Sequence, residues 1–339
     1  MKFSTTALLL FIFNFTFAQT IFKVDHFSKE YFGKIFIADT SEVFSKGWIA
    51  IHDAKSNKQI IKVESEELAL TLHNGKALAN IKALPYGEQS LILYEDYNFD
   101  GIKDFAISDG QNSCYHGPSF KIYLATKTGF KFSPDFTALA QEYCGMFNVD
   151  YKEKKINVMT KSGCCWHQFS EFIVENNKPK VIKIVEDNQM DFPYSNYSEQ
   201  NWDGKKMVVT SKRTISLDEG EGIKTILSFE VDKNQKQVVL FNHNDRVLNY
   251  VLIDKNDEVE FSYPINIVYQ NPDFTFDKKN NSVTFKNKDV VYTIYDNQNS
   301  IGITITTGGK TYNWTGNIAS KKGKIKDITA TPLDNVVVN

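Results

Sequence analysis

The chain has few of the residues that mark several large classes of protein. Of its 339 residues, 18 are glycine, 8 are proline and 4 are cysteine, so it is neither a fibrous repeat nor a disulfide-dense miniprotein. The 39 basic and 41 acidic residues leave a formal charge of −2, without the positive excess typical of nucleic-acid-binding proteins. Phosphate-binding glycine loops, the HExxH zinc motif and the GxSxG nucleophile motif are also missing, so we do not expect an enzyme.

Long apolar runs are equally scarce, and the one that exists stands at the N-terminus. Lys2 precedes an apolar stretch over residues 7–17, and Thr16 and Ala18 supply the small side chains that a signal peptidase requires. The stretch is shorter than the roughly 20 residues that cross a bilayer as a helix. We therefore expect residues 1–18 to be a signal peptide, and the mature protein to be periplasmic or secreted with no transmembrane segment.

The cysteines predict disulfide bonds. They are Cys114, Cys144, Cys164 and Cys165. An even number of cysteines in an exported protein favours two bridges. Because a bond between adjacent cysteines closes a strained ring across one peptide bond, we expect Cys114 and Cys144 each to bond to one member of the adjacent pair. The sequence leaves open which of the two each one takes.

A zinc site is the alternative use of these cysteines. His116 stands two residues after Cys114, and His167 stands two residues after Cys165, although these are not the usual spacings of zinc ligands. The expected disulfides would bring His116 and His167 together. Packing of both rings around a disulfide is then favoured over a catalytic or metal site.

Most of the mature chain consists of short apolar runs separated by turn residues. Runs such as SLILY at 90–94 and DFAIS at 104–108 alternate with clusters of Asn, Asp, Lys and Gly. One short helix is expected near 133–142, with Ser133 as its cap and Pro134 at its first position. The connections between the runs leave no room for the crossover helices that parallel strands need. We therefore predict an all-β fold of antiparallel sheets, arranged as sandwiches, barrels or a propeller-like structure.

Two β domains are expected. Residues 187–205 lose the apolar alternation and are interpreted as a long connection. The Asp-Glu-Gly-Glu-Gly stretch at 218–222 is the best boundary. The prediction is therefore a first domain over 19–218 and a second over 219–339, whose role the sequence does not indicate.

One motif carries specific chemistry, and it predicts a calcium site. Residues 96–104 follow the pattern DxNxDGxxD, and calcium takes six to eight oxygen ligands that such a loop supplies at alternate positions. Gly101 permits the sharp turn, and position 12 is Ile107 instead of the bidentate glutamate of an EF-hand. We expect Asp104 to bind directly or through water, and the ion to be structural. The predicted ligands are the side chains of Asp96, Asn98, Asp100 and Asp104 and the main-chain carbonyl of Ile102.

The segment 91–185 resembles a family of exported bacterial proteins. Its members carry the DxNxDGxxD loop between two strands, followed by a GxS[FY]x[IV]YL strand, which is GPSFKIYL at 117–124 here. The family contains periplasmic immunity proteins that neutralise peptidoglycan-cutting enzymes and are similar to periplasmic lysozyme inhibitors. The resemblance implies bound calcium and a hydrolase as the protein partner, and it does not extend to 219–339.

The resemblance also implies an inhibitory loop that enters the hydrolase cleft. Its counterpart is residues 108–119, in which polar and aromatic groups could hydrogen-bond catalytic carboxylates. The expected partner-binding residues are Asn112, Tyr115, His116 and Ser119. A disulfide at Cys114 and calcium at the loop's base would reduce the entropy lost on binding.

A cell-envelope carbohydrate-binding or adhesion module is the alternative function. Aromatic side chains that could stack on sugars are Tyr194, Tyr197, Trp202 and Trp314. This alternative predicts retention on peptidoglycan or polysaccharide without inhibition of a hydrolase.

Overall fold

The computed structural model describes residues 20–83, 87–265, 272–330 and 332–339. The expected signal peptide at 1–18 lies outside these ranges. Within them the chain forms 25 strands in five sheets and one α-helix, which confirms the all-β prediction. The strands pair antiparallel except β19 (Phe274–Asp277) and β25 (Val336–Val338), which are parallel, and the described sheets include no closed barrel. No helix in the described part of the chain is long and apolar enough to cross a bilayer.

The chain packs as two units. Of the described residues, unit 1 contains those up to 161 and 169–182, and unit 2 contains 162–168 and those from 183 onward. The chain passes from one unit to the other within three strands, β10 (Lys155–Ser162), β11 (Trp166–Glu175) and β12 (Lys178–Asn188). The division into 19–218 and 219–339 stays a prediction.

Unit 1 is built on two four-stranded sheets. The first contains β1 (Thr20–Val24), β2 (Tyr31–Ile37), β3 (Ser45–Asp53) and β4 (Gln59–Leu68) in that order. The second contains β5 (Ile92–Glu95), β6 (Asp104–Ser113), β7 (Gly117–Thr126) and β8 (Gly129–Phe132). The short strands β9 (Asn148–Asp150) and β10 (Lys155–Ser162) follow.

Alternation along the second sheet gives unit 1 two hydrophobic cores. Successive side chains of a strand point to opposite faces, so Ile92 and Phe105 join the core shared with the first sheet. Leu93 and Ala106 point the other way, into a core that includes residues of α1 (Pro134–Leu139). The helix falls within the predicted range, with Pro134 at its start, although Ser133 makes no side-chain capping bond.

Unit 2 contains two further sheets that pack on each other. One has the order β18-β17-β16-β15-β24 and the other β23-β22-β21-β20-β19-β25. Their facing sides share one large core, which includes Leu240 and Phe285. The remaining bounds are β15 (Ile223–Glu230), β16 (Gln237–His243), β17 (Val247–Ile253), β18 (Val259–Tyr263), β20 (Ser282–Asn287), β21 (Val290–Asn297), β22 (Ser300–Thr307), β23 (Lys310–Thr315) and β24 (Lys322–Gly323).

The stretch interpreted as a long connection is a strand instead. Within residues 187–205 the chain forms β13 (Tyr194–Trp202), which pairs with both β12 and β14 (Met207–Ile215). Its side chains are almost all half-buried, on both faces of the strand. Because neither face is buried in a core, the sequence shows no apolar alternation there, and the prediction was wrong for that reason.

Candidate functional site: the calcium loop and the hairpin tip

The predicted calcium loop connects β5 to β6, and its polar side chains organise its own turn. Asp96 accepts hydrogen bonds from the main-chain N–H of Asp100 at 3.2 Å and of Gly101 at 2.9 Å. Asp100 accepts one from the N–H of Ile102 at 2.8 Å. Gly101 has a φ of +87°, a left-handed conformation in which glycine avoids the strain that a Cβ would cause. The loop thus turns sharply where the motif predicts.

Asp104 is the buried carboxylate of the loop. It has no exposed surface, and its oxygens accept hydrogen bonds from the main-chain N–H groups of Tyr97 at 2.8 Å and Ala125 at 2.7 Å. Burial, with a smaller contribution from the nearby carboxylates of Asp100 and Asp96, raises the pKa of Asp104 to about 7, against the lowering effect of these two bonds. Asp104 thus lies away from solvent, among main-chain amides and near two other carboxylates.

The carboxylates of this loop lie outside the ion pairs of the described ranges. Among the ion pairs formed there, none involves Asp96, Asp100 or Asp104. The oxygens of Asp96, Asn98 and Asp100 and the carbonyl of Ile102 are the donor type that calcium prefers. In the same ranges no three His, Cys, Asp or Glu side chains are grouped so that they could hold a metal ion. Calcium binding by this loop, with Asp104 as a direct or water-mediated ligand, stays a prediction.

A second hairpin contacts this loop. Asn98, which is 6% exposed, donates from Nδ2 to Asp100 Oδ2 at 2.9 Å and to Asn177 Oδ1 at 3.1 Å. Asn177 lies in the turn between β11 and β12 and has a φ of +57°. The motif alone gives no sign of this contact, because 79 residues separate the two asparagines.

The segment expected to be an inhibitory loop is mostly strand. β6 continues to Ser113 and β7 begins at Gly117, so 108–119 is a hairpin whose connection is a single 3-10 turn, Cys114–His116. We call residues 113–117 the tip. Tyr115 and His116 both have left-handed backbones, with φ of +53° and +57°. The Tyr115 side chain is 62% exposed, so this residue projects from the turn.

The four expected partner-binding residues have different surroundings. Ser119 is fully buried, and its hydroxyl donates to Asp109 Oδ1 at 2.6 Å and accepts from the N–H of Asn112 at 3.1 Å. Asn112 is exposed but directs its Nδ2 to the carbonyl of Asp109 at 3.3 Å. Gln141 donates to the other oxygen of Asp109 at 2.6 Å. Ser119 and Asn112 therefore brace the hairpin, while Tyr115 and His116 are the two that face outward.

His116 contacts residues that the sequence analysis did not single out. Its Nε2 lies 3.1 Å from Glu67 Oε2, and its ring meets the ring of Phe44 edge-on at 5.5 Å between centroids. Phe44 is 45% exposed and its neighbour Val43 is 73% exposed. The only sign of this contact in the sequence is that Val43 and Phe44 form an apolar pair in the polar connection between β2 and β3.

The disulfides do not follow the expected pairing. Cys114 bonds to Cys144, and Cys164 bonds to Cys165. The fold brings Cys114 to the segment after α1, where the N–H of Gly145 donates to Ser113 Oγ at 3.2 Å. The adjacent pair lies in the turn between β10 and β11 and closes its own ring. With no free cysteine among the four, the zinc alternative is excluded.

This pairing also removes the reason for placing His116 beside His167, because no disulfide links their neighbouring cysteines. Disulfides of this kind are compatible with an exported protein.

Three of the rings considered for sugar stacking have cations over them: Arg213 at 3.9 Å from the Tyr194 centroid, Lys212 at 5.3 Å from Tyr197 and Lys236 at 5.8 Å from Trp314.

Comparisons with known proteins give limited similarity. No protein-family model and no curated protein matches the chain. A Xanthomonas type IV secretion system related protein is 18% identical, with a TM-score of 0.43 over 54% of this chain and 90% of that one. A prolyl endopeptidase is 8% identical, with a TM-score of 0.25 over 87% of this chain and 41% of that one. The periplasmic gluconolactonase of Pseudomonas aeruginosa is 8% identical, with a TM-score of 0.21 over 87% and 85%. Similarities at this level say nothing about what this chain does.

Proposed function

We propose that this chain is an exported calcium-binding β protein that binds a peptidoglycan-cutting hydrolase through the tip and inhibits it. The observation that carries the proposal is the tip itself, an exposed Tyr115–His116 pair on a braced hairpin. Exposed aromatic side chains on rigid supports are the usual anchors of tight protein interfaces. The target class comes from the sequence resemblance of residues 91–185.

The base of the tip is held from two sides. The Cys114–Cys144 bond ties it to the segment after α1, and the Ser119–Asp109–Gln141 hydrogen bonds brace the hairpin below it. A loop that is already in its bound conformation loses less entropy when it enters a cleft. The support therefore favours tight binding by a small number of exposed residues.

Val43 and Phe44 extend the surface beside the tip. Phe44 contacts His116 directly, so an enzyme that accommodates the tip would also cover this apolar pair. Calcium would act at a distance, because the calcium loop precedes β6 and the tip follows it. The bound ion would fix the start of the strand that carries the tip.

The test is inhibition of purified muramidases by the mature protein, with calcium and with a chelator. Tyr115→Asn and His116→Asn remove the exposed rings but keep a residue type that tolerates the left-handed backbone. Tyr312→Asn is the matched control, because Tyr312 is an exposed tyrosine of unit 2. We expect calcium-dependent inhibition that weakens about tenfold or more in the tip variants and not in the control. Absence of inhibition across the panel, or equal inhibition by all variants, would overturn the proposal.

A further inference from the structure

The edge strand β14 of unit 2 is exposed along most of its length. It is nine residues long and pairs with β13 on one side, and no strand of the described residues pairs with its other side. Residues 208–212 are all exposed, with Val208 at 41% and Val209 at 58%. Because successive side chains point to opposite faces, the strand is open to solvent on both faces. A long, exposed edge strand is a template for the addition of another strand.

The register of the β13–β14 hairpin decides which main-chain groups of β14 face outward. The N–H of Asp203 donates to the carbonyl of Lys206 at 3.0 Å, and the N–H of Ser216 donates to the carbonyl of Pro193 at 2.9 Å. Hydrogen-bonded and non-hydrogen-bonded pairs alternate along an antiparallel ladder. The odd-numbered residues from 207 to 213 therefore direct both N–H and C=O away from β13.

The charge beside this edge favours one kind of partner. Lys205 and Lys206 lie in the turn before β14, and Lys212 lies within the strand. All three are exposed, and none takes part in an ion pair of the described ranges. Pairing with a second copy of the chain would double this uncompensated charge. A strand that carries carboxylates would neutralise it, since opposite charges across neighbouring strands attract.

We propose that β14 binds an extended acidic segment of another protein as an added strand. The outward N–H and C=O groups of Val209 and Ser211 supply main-chain hydrogen bonds, which give affinity in this mode of recognition. Lys206 and Lys212 are separated by an even number of residues, so carboxylates opposite them lie on one face. An apolar side chain between those carboxylates packs beside Val208. The edge belongs to unit 2, whereas the tip belongs to unit 1.

The experiment compares two fluorescent seven-residue peptides, amidated at the C-terminus, by polarisation on the mature protein at low ionic strength. When ESTVVSE pairs antiparallel with β14, it places a glutamate opposite each of Lys206 and Lys212, and KSTVVSK reverses both charges. We expect ESTVVSE to bind at least about tenfold more tightly, and the difference to shrink as added salt screens the charges. Equal binding of the two peptides, or binding of neither, would overturn the inference.

A proline variant locates the binding at the edge. Val209→Pro removes an outward N–H without breaking a bond to β13, so ESTVVSE binding should fall at least about tenfold. Thr311→Pro is the matched control on the edge strand β23, where the outward carbonyl of Thr315 accepts from the N–H of Asp232. Calorimetric melts check that both variants are folded. Unchanged binding of ESTVVSE to folded Val209→Pro would contradict the site.

Charge reversal tests the edge without a proline. The double variant Lys206→Glu and Lys212→Glu should bind KSTVVSK more tightly than ESTVVSE, which reverses the preference of the wild type. Lys286→Glu together with Lys310→Glu makes the same change at exposed positions of the other sheet of unit 2 and should leave the preference unchanged. A preference that survives in the Lys206 and Lys212 variant would contradict the proposal. A wild-type dimer in sedimentation that Val209→Pro dissociates would assign the edge to a second copy and overturn it.

Discussion

At the scale of single residues, the carboxylates of the predicted calcium loop form no ion pair within the described part of the chain. Asp96 and Asp100 accept hydrogen bonds from main-chain N–H groups of the turn. The buried Asp104 accepts hydrogen bonds from two further main-chain N–H groups. A cation that binds this folded loop and not the unfolded chain stabilises the fold by mass action. With a dissociation constant typical of extracellular modules, 10 mM calcium should add about 1.4–2.7 kcal/mol to the free energy of unfolding.

Asp100→Ala should abolish that increment. The exposed Asp100 side chain contributes hydrogen bonds to the N–H of Ile102 and to Asn98, so the variant should also be slightly less stable without calcium. Calorimetric melts with calcium and with chelator measure both effects. Asp203→Ala is the matched control, because Asp203 caps a turn through the N–H groups of Lys205 and Lys206 outside any calcium motif. If the wild type had the same melting temperature in calcium and in chelator, the prediction that this loop binds calcium would be wrong.

At the scale of elements, the β11–β12 turn should tune the calcium loop. The bond from Asn98 Nδ2 to Asn177 Oδ1 holds the amide so that its own oxygen stays on the loop side. Asn177→Gly keeps the left-handed turn but removes that partner, so calcium affinity should fall roughly tenfold, as for other residues that orient a metal ligand. Asn176→Gly, at the neighbouring left-handed position, is the control. Equal calcium affinity of the two variants, by titration calorimetry, would show that the contact is incidental.

The two disulfides should differ greatly in their contribution to stability. The Cys114–Cys144 bond closes a loop with a sequence separation of 30, whereas the Cys164–Cys165 bond joins neighbouring residues with a separation of 1. Loop entropy assigns about 3–4 kcal/mol to the first, so the double serine variant of Cys114 and Cys144 should lose that amount in denaturant unfolding. The double serine variant of Cys164 and Cys165 should unfold nearly as the wild type. If the Cys164 and Cys165 variant lost more stability than the Cys114 and Cys144 variant, native contacts of the adjacent pair would contribute more than loop closure does.

The sequence predicted the elements whose signals are local and missed those that depend on distant partners. The helix at 134–139 and the sharp turn at Gly101 follow from residues that stand beside them. The Cys114–Cys144 bond could be predicted only if it were known that β6 ends beside the segment after α1. The contact of Phe44 with His116 likewise joins two connections that are far apart in sequence. An argument from ring strain at the adjacent cysteines could not replace that knowledge.

At the scale of the whole molecule, each unit encloses its own hydrophobic cores. The two cores of unit 1 include Phe105 and Phe136, and those of unit 2 include Phe241 and Phe285. No core cluster of the described residues draws buried side chains from both units. Because cooperative unfolding follows the extent of a shared core, we expect two calorimetric transitions in the mature protein.

Calcium should move only one of these transitions. The loop at 96–104 belongs to unit 1, so the ion should raise the melting temperature of unit 1 and leave that of unit 2 unchanged. Two buried phenylalanines identify the transitions: Phe105→Ala and Phe285→Ala should each destabilise their own unit by about 3–5 kcal/mol. The calcium-sensitive transition should be the one that Phe105→Ala lowers. If calcium shifts both transitions equally, or if Phe285→Ala lowers the calcium-sensitive one, the two units unfold as one, and the cores are coupled through the strands that connect them.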